Sequence, residues 1–91
     1  MAYRILFEDG ALRELRRLPK DIQRRVVAKA EALERDPRPS GCKKLRGMED
    51  LFRVRVGDYR IVYRIEDDVL VVLVLSVGDR ADVYERLRRK G

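Results

Sequence analysis

The stretch "LFRVRVGDYRIVYRI", residues 51–65, alternates apolar and polar side chains on both sides of a Gly-Asp pair at 57–58. A Gly-Asp pair between two alternating runs is typical of a β-hairpin with a two-residue turn. That turn fixes the register, which places Arg55 directly opposite Arg60 on one face of the strand pair. The other face then carries the apolar side chains Phe52, Val54, Val56, Tyr59, Ile61 and Tyr63.

Arginines hold most polar positions of this hairpin, at Arg53, Arg55, Arg60 and Arg64. Like charges that lie directly opposite each other destabilise a strand pair. One interpretation is an ordinary solvated face, on which arginine stems cover apolar surface. An opposed pair inside such a row instead favours a site that binds an anion.

The rest of the chain predicts two helices and two further strands around the hairpin. Acidic residues favour a helix start at Glu8, and Pro19 ends that helix. Apolar residues recur at helical spacing in the next segment, and their stripe needs a sheet to cover it. A loop rich in Pro and Gly then leads into the hairpin. We therefore predict one α+β domain over residues 1–91, with a strand at 2–7, a second helix at 21–35, a loop at 36–47, strands at 50–56, 59–66 and 69–77, and a tight turn at Asp67-Asp68.

The composition predicts a basic protein with an anionic partner. Its 22 basic and 16 acidic side chains give a net charge of +6, and such a balance favours nucleic acid or a membrane surface as the partner. The longest apolar run, residues 69–77, is about half of what a membrane-spanning helix needs. A single cysteine, Cys42, and a first segment unlike a secretory signal predict a cytoplasmic protein.

Several kinds of chemistry lack their usual residues. The chain has no histidine and one cysteine, which removes the common acid–base pair for RNA cleavage and most metal clusters. It has no Gly-rich phosphate loop. The acidic residues Glu66, Asp67 and Asp68 fall where a turn is needed, and we interpret them as that turn. We therefore expect no metal and no cofactor, and arginines with tyrosines remain as a set suited to phosphates and bases.

Four short motifs resemble those of a known toxin family: "KLRG" at 44–47, "GDYRIVY" at 57–63, "SVGDR" at 76–80 and "DVY" at 82–84. In this order and spacing they resemble the RelE toxins of bacterial and archaeal toxin–antitoxin pairs, within the RelE/ParE superfamily. The resemblance extends over almost the entire chain. It implies a β-α-α-β-β-β(-α) fold, with a helix hairpin on one face of a small, mainly antiparallel sheet.

The resemblance also implies a function. RelE toxins are ribosome-dependent mRNA endoribonucleases, or mRNA interferases, which cut the message in the aminoacyl site by attack of a 2′-hydroxyl on its phosphodiester and so inhibit translation. The implied partners are the ribosome with its 16S rRNA, the message, and a RelB-like antitoxin in a hetero-oligomer. By resemblance the catalytic residues are Arg53, Arg55, Arg60, Arg80 and Tyr84, and the residues that touch ribosomal RNA phosphates are Lys43, Lys44 and Arg46.

Two departures from the family pattern bear on the chemistry. RelE toxins have lysines where Arg53 and Arg55 stand, and a guanidinium does not release its proton in proteins. Arg55 is then expected to act electrostatically, with the ribosome or solvent accepting the proton. The second departure is Asp79, which either orients Arg80 or simply ends a strand.

Other interpretations remain open on the same residues. Tyr84 either stacks on a base or packs the C-terminal segment, and Arg80 has a possible partner in Asp82. The whole protein is alternatively a ParE-like inhibitor of DNA gyrase, or a relative that binds RNA without cutting it. The filled set of basic positions favours the nuclease over the gyrase inhibitor.

Overall fold

Two helices and five strands follow one another in a computed structural model, which describes residues 2–45, 47 and 50–79. Neither of these two helices is long and apolar enough to span a membrane. The predicted C-terminal element, after residue 79, lies outside the described residues. The elements are β1 (Arg4–Phe7), α1 (Asp9–Arg16), α2 (Lys20–Ala32), β2 (Lys43–Lys44), β3 (Leu51–Val56), β4 (Tyr59–Glu66) and β5 (Val71–Asp79).

The strands form one sheet in the order β1-β5-β4-β3-β2. Strand β1 runs parallel to β5, and every other neighbouring pair is antiparallel. The predicted hairpin register is confirmed at every position, including Val56 opposite Tyr59 and Arg55 opposite Arg60. The α+β class and the mainly antiparallel sheet are therefore both as the sequence predicts.

The two helices cover one face of the sheet. Val26 and Leu33, which α2 and its last turn present to the sheet, are at most 1% exposed, and so are Val54 and Ile61 on the strands. Burial of each such side chain stabilises the fold by about 1.5–3 kcal/mol. This apolar face is the main core, and it leaves the arginine positions on the opposite side of the sheet.

A carboxylate on α1 accepts hydrogen bonds from β5, the strand next to the hairpin, close to an irregularity in its pairing. The pairing of β4 with β5 shifts by one residue between Val62 and Tyr63, as in a β-bulge. One oxygen of Glu14, on α1, accepts hydrogen bonds from the Ser76 hydroxyl at 2.9 Å and from the Val77 N–H at 3.0 Å. The bulge lets both Val74 and Val77 join the core although they are three positions apart.

The structure corrects several predicted boundaries. Helix α2 ends at Ala32, not at residue 35, and the predicted loop at 36–47 contains the short strand β2. The connection between β4 and β5 is longer than a tight two-residue turn, because it extends to Leu70, whose φ is +54°. Val69 belongs to that turn and is 57% exposed, so β5 begins two residues later than predicted and continues to Asp79.

Three contacts hold the segment between α2 and β2 against the sheet. The buried Tyr63 hydroxyl donates to the Pro37 carbonyl at 2.8 Å, and burial raises the pKa of that hydroxyl. Arg38 pairs with Asp67 at 2.9 Å, and its guanidinium carbon lies 5.5 Å from the centre of the Phe52 ring. The segment that leads into β2 is thereby fixed to the second half of β4, to the turn after it and to β3.

The Arg38–Asp67 pair predicts a pH-dependent contribution to stability. Hydrogen bonds from Arg38 and then from Tyr3 lower the pKa of Asp67. A carboxyl whose pKa is lower in the folded state stabilises the fold above its ordinary pKa of about 4, and this contribution disappears as the pH falls through the folded value. Asp67→Asn should therefore destabilise the protein at pH 7, and the difference from the unmutated chain should shrink below pH 4. Urea denaturation at pH 7, 5 and 3 measures this difference.

The neighbouring carboxylate provides the control for this pH series. Asp68 is exposed and forms no ion pair with another residue of the described ranges. Asp68→Asn should change the free energy of unfolding little at each pH. An equal loss in the two variants at pH 7 would show that the pair with Arg38 contributes nothing.

Candidate phosphate-binding site

The site begins with the turn between β3 and β4. Gly57 has a φ of +59°, a conformation that glycine adopts without the steric penalty of a side chain. The two-residue turn then sets Arg55, the next-to-last residue of β3, directly across from Arg60 on β4. Directly opposite positions share one face of a sheet, so the turn brings both guanidinium stems to the same side.

A half-open cleft of about 350 Å³ lies at this end of the hairpin, lined by Arg55, Gly57, Asp58, Tyr59 and Arg60. Across β4, the residue opposite Arg60 on β5 is Gly78. Glycine inside a strand often marks a place where a ligand approaches the backbone closely. The cleft therefore combines two guanidinium groups and an aromatic ring, and the strand position next to Arg60 on β5 has no side chain.

The charge in this cleft favours an anion. No carboxylate among residues 2–45, 47 and 50–79 lies within 4.0 Å of the Arg55 guanidinium, although Asp58 lines the same cleft. Arg55 is exposed and Arg60 half-buried. A guanidinium presents five N–H donors in a planar fork that matches the oxygens of a phosphate. Two such groups on opposed positions can hold one phosphate from two sides.

The predicted residues next to this pair are arranged differently. Arg53 lies between Lys43 on β2 and Val62 on β4, and it is buried, with 8% of its surface exposed. Lys43 is exposed on the same face as Arg53. Lys44 is exposed but lies opposite Phe52, which places it on the other face. The structure therefore brings Arg55 and Arg60 together, with Lys43 at the edge of the sheet and Arg53 largely covered.

The arginine face is not uniformly polar. Leu51, Val62 and Leu75 form a second, smaller apolar cluster, against which Leu45 and Leu73 pack. Arg64 is exposed and has Leu51 and Leu73 as its cross-strand neighbours. Arg64 therefore faces apolar side chains across the sheet, and only Arg55 and Arg60 form an opposed charged pair in this hairpin.

Three of the predicted site residues, Arg46, Arg80 and Tyr84, lie outside the described residues. Their roles stay predictions. Three residues of the cleft were not predicted as site residues, because the sequence assigns Gly57 and Asp58 to the turn and Tyr59 to the apolar face. The signal available for them is their position beside the opposed arginines, since the ends of a two-residue turn lie next to both strands.

Among the described residues, no three His, Cys, Asp or Glu side chains group closely enough to hold a metal ion.

Comparisons with known proteins agree with this fold. The family model described as the ParE toxin of the type II toxin–antitoxin system parDE matches residues 5–84. The mRNA interferase toxin RelE of Escherichia coli K12 is 36% identical over 88 residues, which cover 92% of each chain. Toxin RelG of Mycobacterium tuberculosis is 39% identical over 87 residues, which cover 94% of this chain and all of that one.

Solved structures give the same result. A mutant of the E. coli toxin RelE in the free state superposes with a TM-score of 0.83 at 33% identity, over 99% of this chain and 98% of that one. The RelBE2 toxin–antitoxin complex of M. tuberculosis contains a chain with a TM-score of 0.77 at 37% identity, over 88% of this chain and all of that one.

The helix hairpin, the five-stranded sheet and the basic cleft together define a small α+β toxin of the type II toxin–antitoxin class. The matching family model carries the ParE name, whereas the relatives at 36% and 39% identity are RelE and RelG. The chain belongs to the RelE toxins of the RelE/ParE superfamily.

Repulsion between the opposed arginines should lower the free energy of unfolding of the protein. Arg55→Thr removes the like-charge repulsion and places a good strand former in β3, so we expect the free energy of unfolding to rise by about 0.2–1 kcal/mol. The variant should also lose the stabilisation that added inorganic phosphate gives the unmutated chain. Chemical denaturation with and without phosphate, at constant ionic strength, measures both effects.

Arg64→Thr is the matched control, because Arg64 is exposed on the same face but has no charge directly opposite. It gains the same strand propensity without relief of a like-charge pair, so it should raise the free energy of unfolding less than Arg55→Thr does and leave the phosphate effect nearly unchanged. Equal stabilisation by both substitutions would mean that the general basic charge, and not the opposed pair, is responsible.

Proposed function

We propose that this toxin is an mRNA interferase that cuts messenger RNA in the aminoacyl site of the ribosome and so inhibits translation. The observation that carries the proposal is the opposed pair of Arg55 and Arg60 in an open cleft. The names of its relatives support it, because the E. coli and Shigella flexneri proteins are both mRNA interferases RelE at 36% identity.

The proposed reaction is a transesterification within the message. The ribose 2′-oxygen attacks the adjacent phosphorus and loses its proton, while the bond from phosphorus to the 5′-oxygen breaks and that oxygen gains a proton. The products are a 2′,3′-cyclic phosphate and a free 5′-hydroxyl. The transition state carries more negative charge on the phosphoryl oxygens than the ground state does, so cations fixed around it lower the barrier.

Arg55 and Arg60 supply those cations in this proposal. Both are anchored on paired strands, and a rigid scaffold keeps their charges oriented without reorganisation during the reaction. A guanidinium does not serve as a general base in proteins. The proton of the 2′-hydroxyl therefore goes to a group of the ribosome or to solvent, and Arg55 favours its loss by binding the phosphate and stabilising the oxyanion.

The remaining predicted residues take supporting roles. Arg80, which follows Asp79 in sequence, is assigned to the leaving 5′-oxygen, and Tyr84 to stacking on a base. Arg53 is buried, so we expect it to stabilise the strands that carry the cleft and to make little direct contact with the message. Lys43, Lys44 and Arg46 are assigned to ribosomal RNA phosphates, a role that supplies affinity and register without sequence specificity.

The proposed partner that silences this toxin is a RelB-like antitoxin, in a hetero-oligomer with the toxin. Solved relatives support this, because RelE and RelB form complexes in Pyrococcus horikoshii and in E. coli. An acidic amphipathic segment would complement the net charge of +6. Because the proposed substrate is messenger RNA on a translating ribosome, we infer that the protein acts in the cytoplasm.

The decisive prediction concerns Arg60 on programmed ribosomes. Arg60→Ala should lower the single-turnover cleavage rate about 10²-fold or more, a loss typical of removing one group that stabilises transition-state charge. The cut should map to one position in the aminoacyl-site codon when the products are separated at nucleotide resolution. Free RNA, without ribosomes, should be cut far more slowly.

Arg64→Ala serves as the control, because it removes the same charge from the same strand, four residues away from Arg60. It should cleave at nearly the unmutated rate. Intact message with the unmutated toxin, under conditions where a stalled ribosome binds it, would refute the nuclease.

The ParE name of the family model favours a second candidate, inhibition of DNA gyrase. A supercoiling assay separates the two candidates. Inhibition of gyrase by a toxin that leaves message intact would make gyrase the target, whereas binding to RNA without any product would identify a silent relative.

A further inference from the structure

The guanidinium of Arg25, on α2, lies beside the turn between β3 and β4. A Cβ atom built on Gly57 would lie 3.3 Å from its Nη2, 3.6 Å from its Nη1 and 3.7 Å from its Cζ. Both terminal nitrogens of the guanidinium are therefore closer to this position than its central carbon is. These nitrogens carry four of the five N–H donors of an arginine side chain, so donor groups lie beside the turn.

Gly57 makes this approach possible. Its φ of +59° already disfavours a side chain, and the nearest guanidinium atom leaves little room for one. The same glycine lines the cleft with Arg55 and Arg60. One turn is therefore shared by the cleft and by an arginine from a different element of the fold.

No described residue neutralises Arg25. Its side chain is exposed, and it makes no hydrogen bond or ion pair within residues 2–45, 47 and 50–79. It adds a positive charge at Gly57, the turn residue that also lines the cleft with Arg55 and Arg60, and Asp58 is the acidic residue of that cleft. Like charges gathered at one turn repel each other, and an extended polyanion is the ligand that offsets this repulsion at several points together.

We propose that Arg25 binds a second phosphate of the message, beside the phosphate held by Arg55 and Arg60. The inference rests on the proposed function and extends it to a second binding position. RNA carries one phosphate per nucleotide, so a message that crosses the tip of the hairpin presents a further phosphate next to the one in the cleft. A contact there fixes the register of the strand, and therefore which phosphodiester enters the cleft.

Arg24 provides a matched control for this proposal. It is the preceding residue of the same helix, is also exposed, and carries the same charge. It lines a different surface, a shallow groove formed with Gln23, Val27, Ala28 and Glu31. Alanine is favourable in helices, so Arg24→Ala and Arg25→Ala should both fold, which a denaturation curve checks.

The test measures binding of the toxin to ribosomes programmed with a message that cannot be cut, because its scissile nucleotide carries a 2′-deoxyribose. A series of such messages replaces one phosphate at a time near that nucleotide by an uncharged methylphosphonate. On the fully charged message, Arg25→Ala should bind about three- to tenfold more weakly than Arg24→Ala. Arg25→Lys keeps the charge without the planar fork and should fall between Arg25→Ala and the unmutated toxin.

The methylphosphonate series identifies the contact. One neutralised linkage next to the scissile one should weaken binding of the unmutated toxin and of Arg24→Ala, and leave Arg25→Ala unaffected. Equal affinities of the two alanine variants on the charged message would overturn the inference. A defect of Arg25→Ala that persists unchanged with every neutralised linkage would also overturn it and would assign Arg25 to ribosomal RNA.

Cleavage of an all-ribose message by the unmutated toxin is measured in parallel. Absence of cleavage would count against the proposed nuclease, while the binding comparison would still decide the role of Arg25. The two failures are therefore distinguishable.

Discussion

The register of the β3–β4 hairpin is the constraint on which the rest of the structure depends. Side chains alternate between the two faces of a strand, so a slip of one residue would exchange the apolar and the arginine faces. The two-residue turn at Gly57 and the core packing of Val54 and Ile61 both oppose that slip. The same interactions that fix the core therefore also place Arg55 opposite Arg60, so no further structural element is needed to position this pair.

This coupling explains how the protein tolerates a repulsive pair of guanidinium groups. The apolar face contributes several buried side chains, each worth more than the penalty for one opposed like-charge pair. In the proposed reaction this repulsion would also have a use, because a phosphate entering the cleft would relieve it, and the relief would grow as negative charge develops on that phosphate. The stability lost in the free toxin would then return as preferential binding of the transition state.

The sequence predicts the hairpin and its register because turn chemistry and alternation agree over residues 51–65, where both signals are local. It does not predict β2, since two consecutive lysines carry no strand pattern and pair only because the preceding segment is held by Tyr63 and Arg38. The start of β5 is mispredicted because Val69 and Leu70 are apolar, as strand residues are, but belong to the turn before β5. The proximity of Arg25 to Gly57 depends on how α2 crosses the sheet, which no local pattern encodes.

The arginines at positions 53 and 55 also bear on the proposed reaction. They assign stabilisation of charge to the toxin and leave proton transfer to its proposed target, the ribosome. A lysine in such a site can lose its proton when its surroundings lower its pKa, and so can act as a base, whereas a guanidinium can only bind and stabilise charge. Burial of Arg53 fits that division, because a largely covered guanidinium is suited to stabilising the surrounding structure and has little access to the message. A toxin built in this way would position and stabilise the phosphate while depending on the ribosome for proton transfer. Within the proposed function, these residue types would make cleavage depend on a proton acceptor outside Arg53 and Arg55, which the ribosome can supply.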